Sequence, residues 1–253
     1  MVAESVNISW VQTLFLRKPF RDTSMDAYLA NLVKELQVGR ILSVQSYGTT
    51  AKKVRSSLTT YIQRYARQSG DPEWQKWKVW SNHQGLVVRD TATGQLGIAE
   101  STPERGAAIT PWVDYERDIR SGKYKVRVYE VLGASSTAGA QAQSNWIAKV
   151  KGTFYDYLAY IRLTIKTLFI DLSDISPTNW FTSWLKSIGD RAAGWKWANW
   201  CTEGVGKAYV MDPPGIDIYQ TPNPTPATHE QVAGELPRKP EKKTTLRLIE
   251  IPS

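Results

Sequence analysis

The sequence predicts an α+β fold, in which an antiparallel sheet packs on helices, and three patterns support this prediction. Residues 26–36 place apolar side chains at the spacing of an amphipathic helix. Two apolar runs, at 86–88 and 96–99, flank a turn-forming stretch at 91–94, which is the pattern of a β-hairpin. Residues 124–131 alternate between polar and apolar side chains as a half-buried strand does. Together these patterns indicate a mixed architecture.

Further elements follow from the same patterns in the first two thirds of the chain. Residues 38–46 predict another strand, and residues 49–68 predict a helix whose basic side chains face solvent. The Ala/Ser/Gly-rich stretch at 133–143 predicts a mobile loop. Two or three helices are expected between residues 144 and 211.

The C-terminal part begins with a Pro-rich connector at 221–228. Thr228 is expected to cap a short helix that begins at His229, and His229 itself is expected at the surface or in that cap. The apolar residues of 246–251 predict an edge strand, which pairs either within this chain or with a partner.

The composition is that of a globular protein. The chain has 253 residues, of which 42% are hydrophobic and 22% charged, which excludes a disordered chain, a coiled coil and a collagen. The net charge of +8 is concentrated at the two ends, with +6 in residues 1–70 and +3 in 236–253 against −1 in 71–235. We therefore expect a basic end to dock on a protein partner, and we do not expect nucleic acid as a partner.

These shifts in composition divide the chain into three predicted parts: an N-terminal extension (1–36), a central domain (37–235) and a basic Pro/Lys-rich tail (236–253). The most apolar stretch, 157–172, is interrupted by basic residues and is shorter than the roughly 20 residues of a spanning helix, so no transmembrane segment is expected. The start of the chain lacks the pattern of a signal peptide. We therefore expect a location in the cytoplasm or within an assembly such as a virion.

The residues that carry chemistry are few. The chain contains one cysteine, Cys201, and two histidines, His83 and His229. This set excludes an intrachain disulfide and is too small for a zinc site, so we expect no metal and no organic cofactor. Cys201 stands where a helical pattern begins, and a helix N-terminus lowers the pKa of a thiol. Because a nucleophilic cysteine needs a histidine and an orienting polar group, His83 is the candidate base.

His83 begins the first strand of the predicted hairpin, and Glu100 ends the second. A carboxylate beside the imidazole fixes its tautomer and stabilises the imidazolium. With a turn centred near residue 93, the two side chains are a few residues out of register, so they meet only if the hairpin is offset or bulged. Ser101 and Glu104 are alternative third members of the site.

Six short segments form a series along the chain: LQVGRIL (36–42), NHQGLVVRD (82–90), GIAES (97–101), KGTFYDY (151–157), CTE (201–203) and PTPA (224–227). In this order they resemble the motifs of the circularly permuted NlpC-type, papain-like thiol hydrolases. The order His, acid, Cys is the permuted one, since ordinary papain-like enzymes place Cys first. The resemblance covers about residues 37–235 and implies that the central domain has the permuted papain-like fold.

The resemblance also implies a role for each candidate residue. Cys201 is expected to be the nucleophile, His83 the general base that later protonates the leaving group, and Glu100 the residue that orients His83. The backbone N–H of Cys201 is expected in the oxyanion hole. Four further residues are candidates for the substrate groove: Tyr155, Trp80, Trp200 and Asn82.

The chain departs from the family pattern at several positions. Asn82 stands where Ser is usual, and Gln84 stands where an apolar residue is usual. Gly204 and Gly206 interrupt the helix of the nucleophile, where apolar residues are usual. These differences leave the three catalytic candidates in place and leave the substrate open.

The predicted activity is hydrolysis of an amide bond, with cell-wall peptide (a peptidoglycan fragment) as the substrate that the resemblance favours. The permuted family also includes acyltransferases that act on lipid, so a lipid-like substrate is a second prediction. A third is a non-catalytic structural or assembly protein, such as a phage virion or tail component. Eight of the 11 tryptophans cluster before His83 and before Cys201, where they are expected to form either core or an aromatic wall for the substrate.

Overall fold

A six-stranded antiparallel sheet organises the part of the chain that the structure describes. This computed structural model describes residues 23–46, 80–102, 104–155, 198–199, 201–221, 224, 226–235 and 243–252. The strands within these residues are β1 (Ile41–Ser46), β2 (His83–Arg89), β3 (Leu96–Thr102), β4 (Gly106–Pro111), β5 (Tyr124–Val131), β6 (Phe154–Tyr155), β7 (Ala198–Asn199) and β8 (Leu246–Ile249). The large sheet has the order β4-β3-β2-β1-β5-β8, and β6 and β7 form a separate parallel pair.

Helices cover both faces of this sheet. Those in the described ranges are α1 (Thr23–Glu35), α2 (Trp112–Arg120), α3 (Ala138–Lys149), α4 (Cys201–Val210) and α5 (Pro226–Val232). Side chains of α1 and α2 form one buried cluster with Leu42, Val87 and Ile98 of the sheet. Side chains of α3, α4 and α5 form a second buried cluster with the neighbouring strand residues, among them Ile41 and Leu86. Successive strand residues thus point to opposite faces, as the pleat of a β-strand requires.

The α+β class is confirmed by this architecture, and so are several of its elements. The hairpin is β2 and β3, with Leu86 opposite Ala99. Its turn is held by the Asp90 carboxylate, which accepts hydrogen bonds from the backbone N–H groups of Ala92 and Thr93, both at 2.9 Å. The strand predicted at 124–131 has those bounds, and the strand predicted at 38–46 begins at Ile41.

The loop predicted at 133–143 ends at residue 137, and its second half is wrong because α3 begins at Ala138 and continues to Lys149. Alanine favours a helix strongly, and the glycine within this helix has a packing role. A Cβ built on Gly39 would lie 2.2 Å from the Cα of Gly139, so the two glycines allow the backbone of α3 to approach the chain before β1. Local composition alone does not reveal such a contact.

The predictions for Thr228 and His229 are also wrong. Helix α5 begins at Pro226, a residue that suits the first turn of a helix, so Thr228 lies inside the helix rather than at its cap. His229 is fully buried, and its ring packs edge-on against Tyr129 with 4.4 Å between centroids. The ring lies in the core because α5 packs against β5 at this point.

The edge strand predicted at 246–251 is found within this chain, where β8 pairs with β5 and Val131 lies opposite Leu246. The basic helix predicted at 49–68 lies outside the described residues, as do residues 1–22 of the predicted N-terminal extension. In the described ranges, no helix combines the length and the apolar character that crossing a bilayer requires.

The packing of β8 leads to a first prediction. Leu246 is 0% exposed, whereas Leu248 on the same strand is 38% exposed. We expect Leu246→Ala to lower the free energy of unfolding by about 2–5 kcal/mol, because it leaves a cavity in the core. The matched control Leu248→Ala should cost no more than about 1 kcal/mol. Urea denaturation followed by tryptophan fluorescence measures both, and equal losses would contradict this placement of β8.

Candidate active site

The candidate site is centred on His83 and Glu100, which meet across the β2–β3 hairpin. The register pairs Leu86 with Ala99, and extending it by one residue sets Gly85 against Glu100, whose Cβ lies 3.5 Å from a Cβ built on Gly85. His83 lies two residues from Gly85 and therefore points to the same face, so the pair is diagonal. The His83 Nε2 atom lies 2.5 Å from Glu100 Oε2. This register is shifted by one residue from the one expected with a turn centred near residue 93.

Gly85 leaves the space in which the two side chains meet. A Cβ built on Gly85 would lie 2.3 Å from Ile98 Cγ2 and 3.5 Å from the Cβ of Glu100. Any larger residue at this position would therefore push against the strand that carries Glu100. The diagonal contact between imidazole and carboxylate depends on this glycine.

Glu100 is buried and is held by three hydrogen bonds. Oε2 accepts hydrogen bonds from His83 and from the hydroxyl of Tyr115, which α2 supplies. Oε1 accepts one from Thr110 Oγ1 of β4 at 2.5 Å. Burial alone would raise the pKa of Glu100, but His83, Thr110 and Tyr115 outweigh it and lower the pKa below its ordinary value. The carboxylate is therefore ionised and fixed in orientation.

Cys201 is the first residue of α4 and is buried beside His83. Burial alone would raise the pKa of its thiol, but the charge and hydrogen bond of His83 and the backbone N–H of Gln84 lower it below its ordinary value. The same pair stabilises the imidazolium. Burial alone would lower the pKa of His83, but Cys201 and Glu100 together raise it to about 10. Both shifts favour a thiolate–imidazolium pair over the neutral thiol and imidazole.

The hydrogen bond to Glu100 also determines which ring nitrogen serves Cys201. Because Nε2 of His83 is bonded to Glu100, Nδ1 is the nitrogen left for the thiol. In the neutral ring, Nε2 carries the proton and Nδ1 can accept one. Since α4 begins at Cys201, its first backbone N–H groups have no acceptor within the helix and are available to bind a developing oxyanion at the nucleophile.

Glu100 is the candidate third member that contacts His83. Ser101 follows it on β3, so its side chain points to the other face of the sheet. Within the described part of the chain, the Ser101 hydroxyl oxygen has no hydrogen-bond partner. Glu104 lies beyond the strand and is exposed.

Two glycines allow α4 to pack closely. A Cβ on Gly204 would lie 3.3 Å from Val150 Cγ1, and a Cβ on Gly206 would lie 2.9 Å from the ring of Tyr219. The departures from the apolar residues expected in this helix therefore have a packing reason. Close packing holds the first turn of α4, and with it Cys201, against the sheet.

The four substrate-groove candidates have different surroundings. Trp80 is partly buried, and the guanidinium of Arg127 lies 4.2 Å from its ring centroid. Asn82 Oδ1 lies 3.3 Å from both the backbone N and the hydroxyl of Ser46, so this amide joins the end of β1 to the start of β2. The backbone of Tyr155 pairs with Asn199, two residues before the nucleophile. Trp200 lies outside the described residues.

Sequence reasoning missed Thr110 and Tyr115, the two hydroxyl donors to Glu100. The spacing of Trp112, Tyr115 and Ile119 would place all three on the buried face of a helix, and all three are buried. That pattern was available in the sequence. The contact with Glu100 was not, because it depends on how α2 packs against the sheet.

The described residues contain no group of three or more His, Cys, Asp or Glu side chains that could hold a metal ion. The chemistry derived above uses the side chains and backbone groups of this chain.

The charge of Glu100 leads to a second prediction. Glu100→Gln removes the charge that stabilises the His83 imidazolium. Because the less stable imidazolium supports the thiolate less, the pKa of Cys201 rises. We expect the pH profile of Cys201 alkylation by iodoacetamide to move to higher pH by about one unit. Since the chain has one cysteine, mass spectrometry of the adduct reports this residue alone. Glu104→Gln is the matched control and should keep the wild-type profile. An unmoved profile in Glu100→Gln would contradict the role of Glu100 in stabilising the His83 imidazolium.

Comparison with known proteins adds no further information. No protein-family model, no curated protein and no solved structure matches the chain at a significant level. The geometry of Cys201, His83 and Glu100 is therefore the basis on which a function can be proposed.

Proposed function

We propose that the chain is a cysteine hydrolase that cuts an amide bond through an acyl-thioester intermediate. The observation that carries the proposal is the series Cys201–His83–Glu100, in which a thiol, an imidazole and a fixed carboxylate are in contact one after another and each contact favours the ion pair. A nucleophile, a base in contact with it and a group that orients the base are the parts that such catalysis requires.

The first half of the reaction forms the thioester. The Cys201 thiolate attacks the amide carbonyl carbon, and a C–S bond forms as the carbonyl electrons move to oxygen. Backbone N–H groups at the start of α4 bind that oxyanion. The His83 imidazolium then gives its Nδ1 proton to the leaving nitrogen, the C–N bond breaks, and the amine departs.

The second half regenerates the thiolate. Neutral His83 takes a proton from water, and the oxygen of that water attacks the thioester carbonyl. The C–S bond breaks, the acid product leaves, and Cys201 and His83 return as an ion pair. Glu100 keeps its charge throughout and holds the ring so that Nδ1 faces the sulfur.

The fold proposed for this site is the permuted papain-like one. Its support is the placement of the nucleophile at the start of a helix that packs on an antiparallel sheet, with the base and the acid on adjacent strands. The order of His83, Glu100 and Cys201 along the chain agrees with the permuted arrangement. The proposed substrate is a peptide of the cell wall, which the resemblance to NlpC-type hydrolases favours.

A third prediction tests the activity directly. We expect wild-type protein to release soluble peptides from purified peptidoglycan. We expect Cys201→Ala to abolish release, and His83→Ala to reduce it by about 10²–10⁴-fold through loss of acid–base catalysis. Amine release and mass spectrometry of the products measure the reaction. The matched control His229→Phe replaces the other histidine with a ring of similar shape and should retain activity.

Two outcomes would redirect the proposal. Release that persists in Cys201→Ala would contradict a thiol mechanism. Inactivity toward peptidoglycan, with Cys201-dependent cleavage of lipid ester in vesicles, would replace the amide substrate by a lipid. If folded wild-type protein cleaves neither substrate and iodoacetamide does not label Cys201, the site is not catalytic and the fold serves as a scaffold.

A fourth prediction concerns the alkaline side of the pH profile. The reaction needs protonated His83, and its surroundings raise its pKa to about 10 although burial opposes this. We expect kcat/KM to stay high through neutral pH and to fall as the pH rises through about 10, as leaving-group protonation is lost. A fall centred at about pH 6.5, the pKa of an unperturbed imidazole, would contradict the ion pair.

A further inference from the structure

A chain of hydrogen bonds runs behind the nucleophile and is not used by the mechanism above. It begins at Glu230 of α5, a carboxylate that is 1% exposed. Glu230 accepts hydrogen bonds from the backbone N–H of Trp80 at 2.9 Å and of Ser81 at 2.6 Å. The Ser81 hydroxyl lies 2.9 Å from the same carboxylate. Burial raises the pKa of Glu230, and the hydrogen bonds from Ser81 and Trp80 oppose that shift.

The chain continues through Gln84 to the residue that follows the nucleophile. Gln84 Nε2 lies 2.8 Å from Ser81 Oγ, and Gln84 Oε1 is hydrogen-bonded to the hydroxyl of Thr202. Gln84, Ser81 and Thr202 are all buried. Because β2 is pleated, Gln84 points to the face of the sheet opposite that of its neighbour His83.

The direction of each hydrogen bond follows from Glu230. Its carboxylate accepts, so the Ser81 hydroxyl donates to it. Ser81 Oγ must then accept from the amide of Gln84, which turns Nε2 toward Ser81 and Oε1 toward Thr202. A carbonyl oxygen accepts, and Thr202 therefore donates its hydroxyl proton to Gln84.

This assignment matters because Thr202 has one hydroxyl proton and two acceptors within reach. Thr202 Oγ1 also lies 3.7 Å from the sulfur of Cys201. A thiolate that accepts one more hydrogen bond is more stable, and its nucleophilicity falls along with its pKa. The direction of a single hydroxyl proton therefore changes the reactivity of the sulfur.

We propose that Gln84 is a positioning residue of the nucleophile, which holds the hydroxyl proton of Thr202 away from the Cys201 thiolate. The sulfur then receives its main hydrogen bonds from His83 and from the backbone N–H of Gln84, and the contact with the Thr202 hydroxyl is the smallest of the interactions that lower the pKa of Cys201. The inference rests on the proposed hydrolase function, since it assigns a reactive thiolate to Cys201. This role would explain why Gln84 stands at a position where the NlpC-type hydrolases that the chain resembles usually have an apolar residue.

The test measures Cys201 alkylation by iodoacetamide across pH. Gln84→Leu frees the Thr202 hydroxyl to donate to the thiolate. We expect the profile to move to lower pH and the plateau rate to fall about threefold for each unit of that movement. The double variant Gln84→Leu/Thr202→Val has no hydroxyl to donate and should return toward the wild-type profile. A purely structural role for Gln84 would lower thermal stability without producing this reversal.

Two further variants complete the test. Gln143→Leu is the matched control. The amide of Gln143 forms hydrogen bonds of 2.8 and 2.9 Å with the backbone of Arg89, and this contact lies away from the site. It should leave the profile unchanged. Thr202→Val alone should also leave it unchanged, which keeps the inference testable if Gln84→Leu does not fold. A profile that moves to higher pH in Thr202→Val would show that Thr202 donates to the thiolate in the wild type and would overturn the inference.

Alkylation needs no substrate, so the two proposals fail separately. If wild-type Cys201 reacts as a thiolate and the Gln84 variants behave as expected, but no amide is cut, the hydrolase proposal fails and the positioning role stands. If amide hydrolysis depends on Cys201 while Gln84→Leu keeps the wild-type profile, the positioning role fails alone.

Discussion

The hydrogen bond between His83 and Glu100 is the interaction on which the site depends. A buried carboxylate is costly unless it is hydrogen-bonded, and Glu100 meets this condition with donors from β2, β4 and α2. An opposite charge at this range shifts a pKa by about 1–3 units, which is about 1.4–4 kcal/mol. That energy favours the His83 imidazolium, which in turn favours the Cys201 thiolate. Gly85 and the packing of Tyr115 therefore act on the sulfur through Glu100.

Strand β2 carries both the base, His83, and Gln84, which contacts the helix of the nucleophile. Because β2 is pleated, His83 points to the face covered by α1 and α2, and Gln84 points to the face covered by α4. His83 thus joins Glu100, while Gln84 joins Thr202 in the first turn of the nucleophile helix. Two neighbouring residues at the start of β2 therefore supply the base and the contact that positions the first turn of α4. A shift of one residue in the register of this strand would exchange the two faces and separate His83 from Glu100.

Local patterns in the sequence were sufficient for the hairpin, for the strand at 124–131 and for the choice of Cys201, His83 and Glu100 as candidates. They were insufficient wherever a tertiary contact decides the outcome. The register that joins His83 to Glu100 was expected one residue away, since turn length cannot be read to that accuracy. The helix at Ala138–Lys149 was missed because Gly139 is explained only by its contact across the fold.

At neutral pH, His83 is expected to be an imidazolium paired with a Cys201 thiolate. Nitrogen NMR of histidine-labelled protein measures this directly. The chemical shift of each ring nitrogen changes strongly between the neutral and the protonated ring. Wild-type His83 should show both nitrogens protonated at pH 7, and Cys201→Ala should move the ring toward the neutral form. A neutral His83 in the wild type, unchanged in Cys201→Ala, would rule out the ion pair.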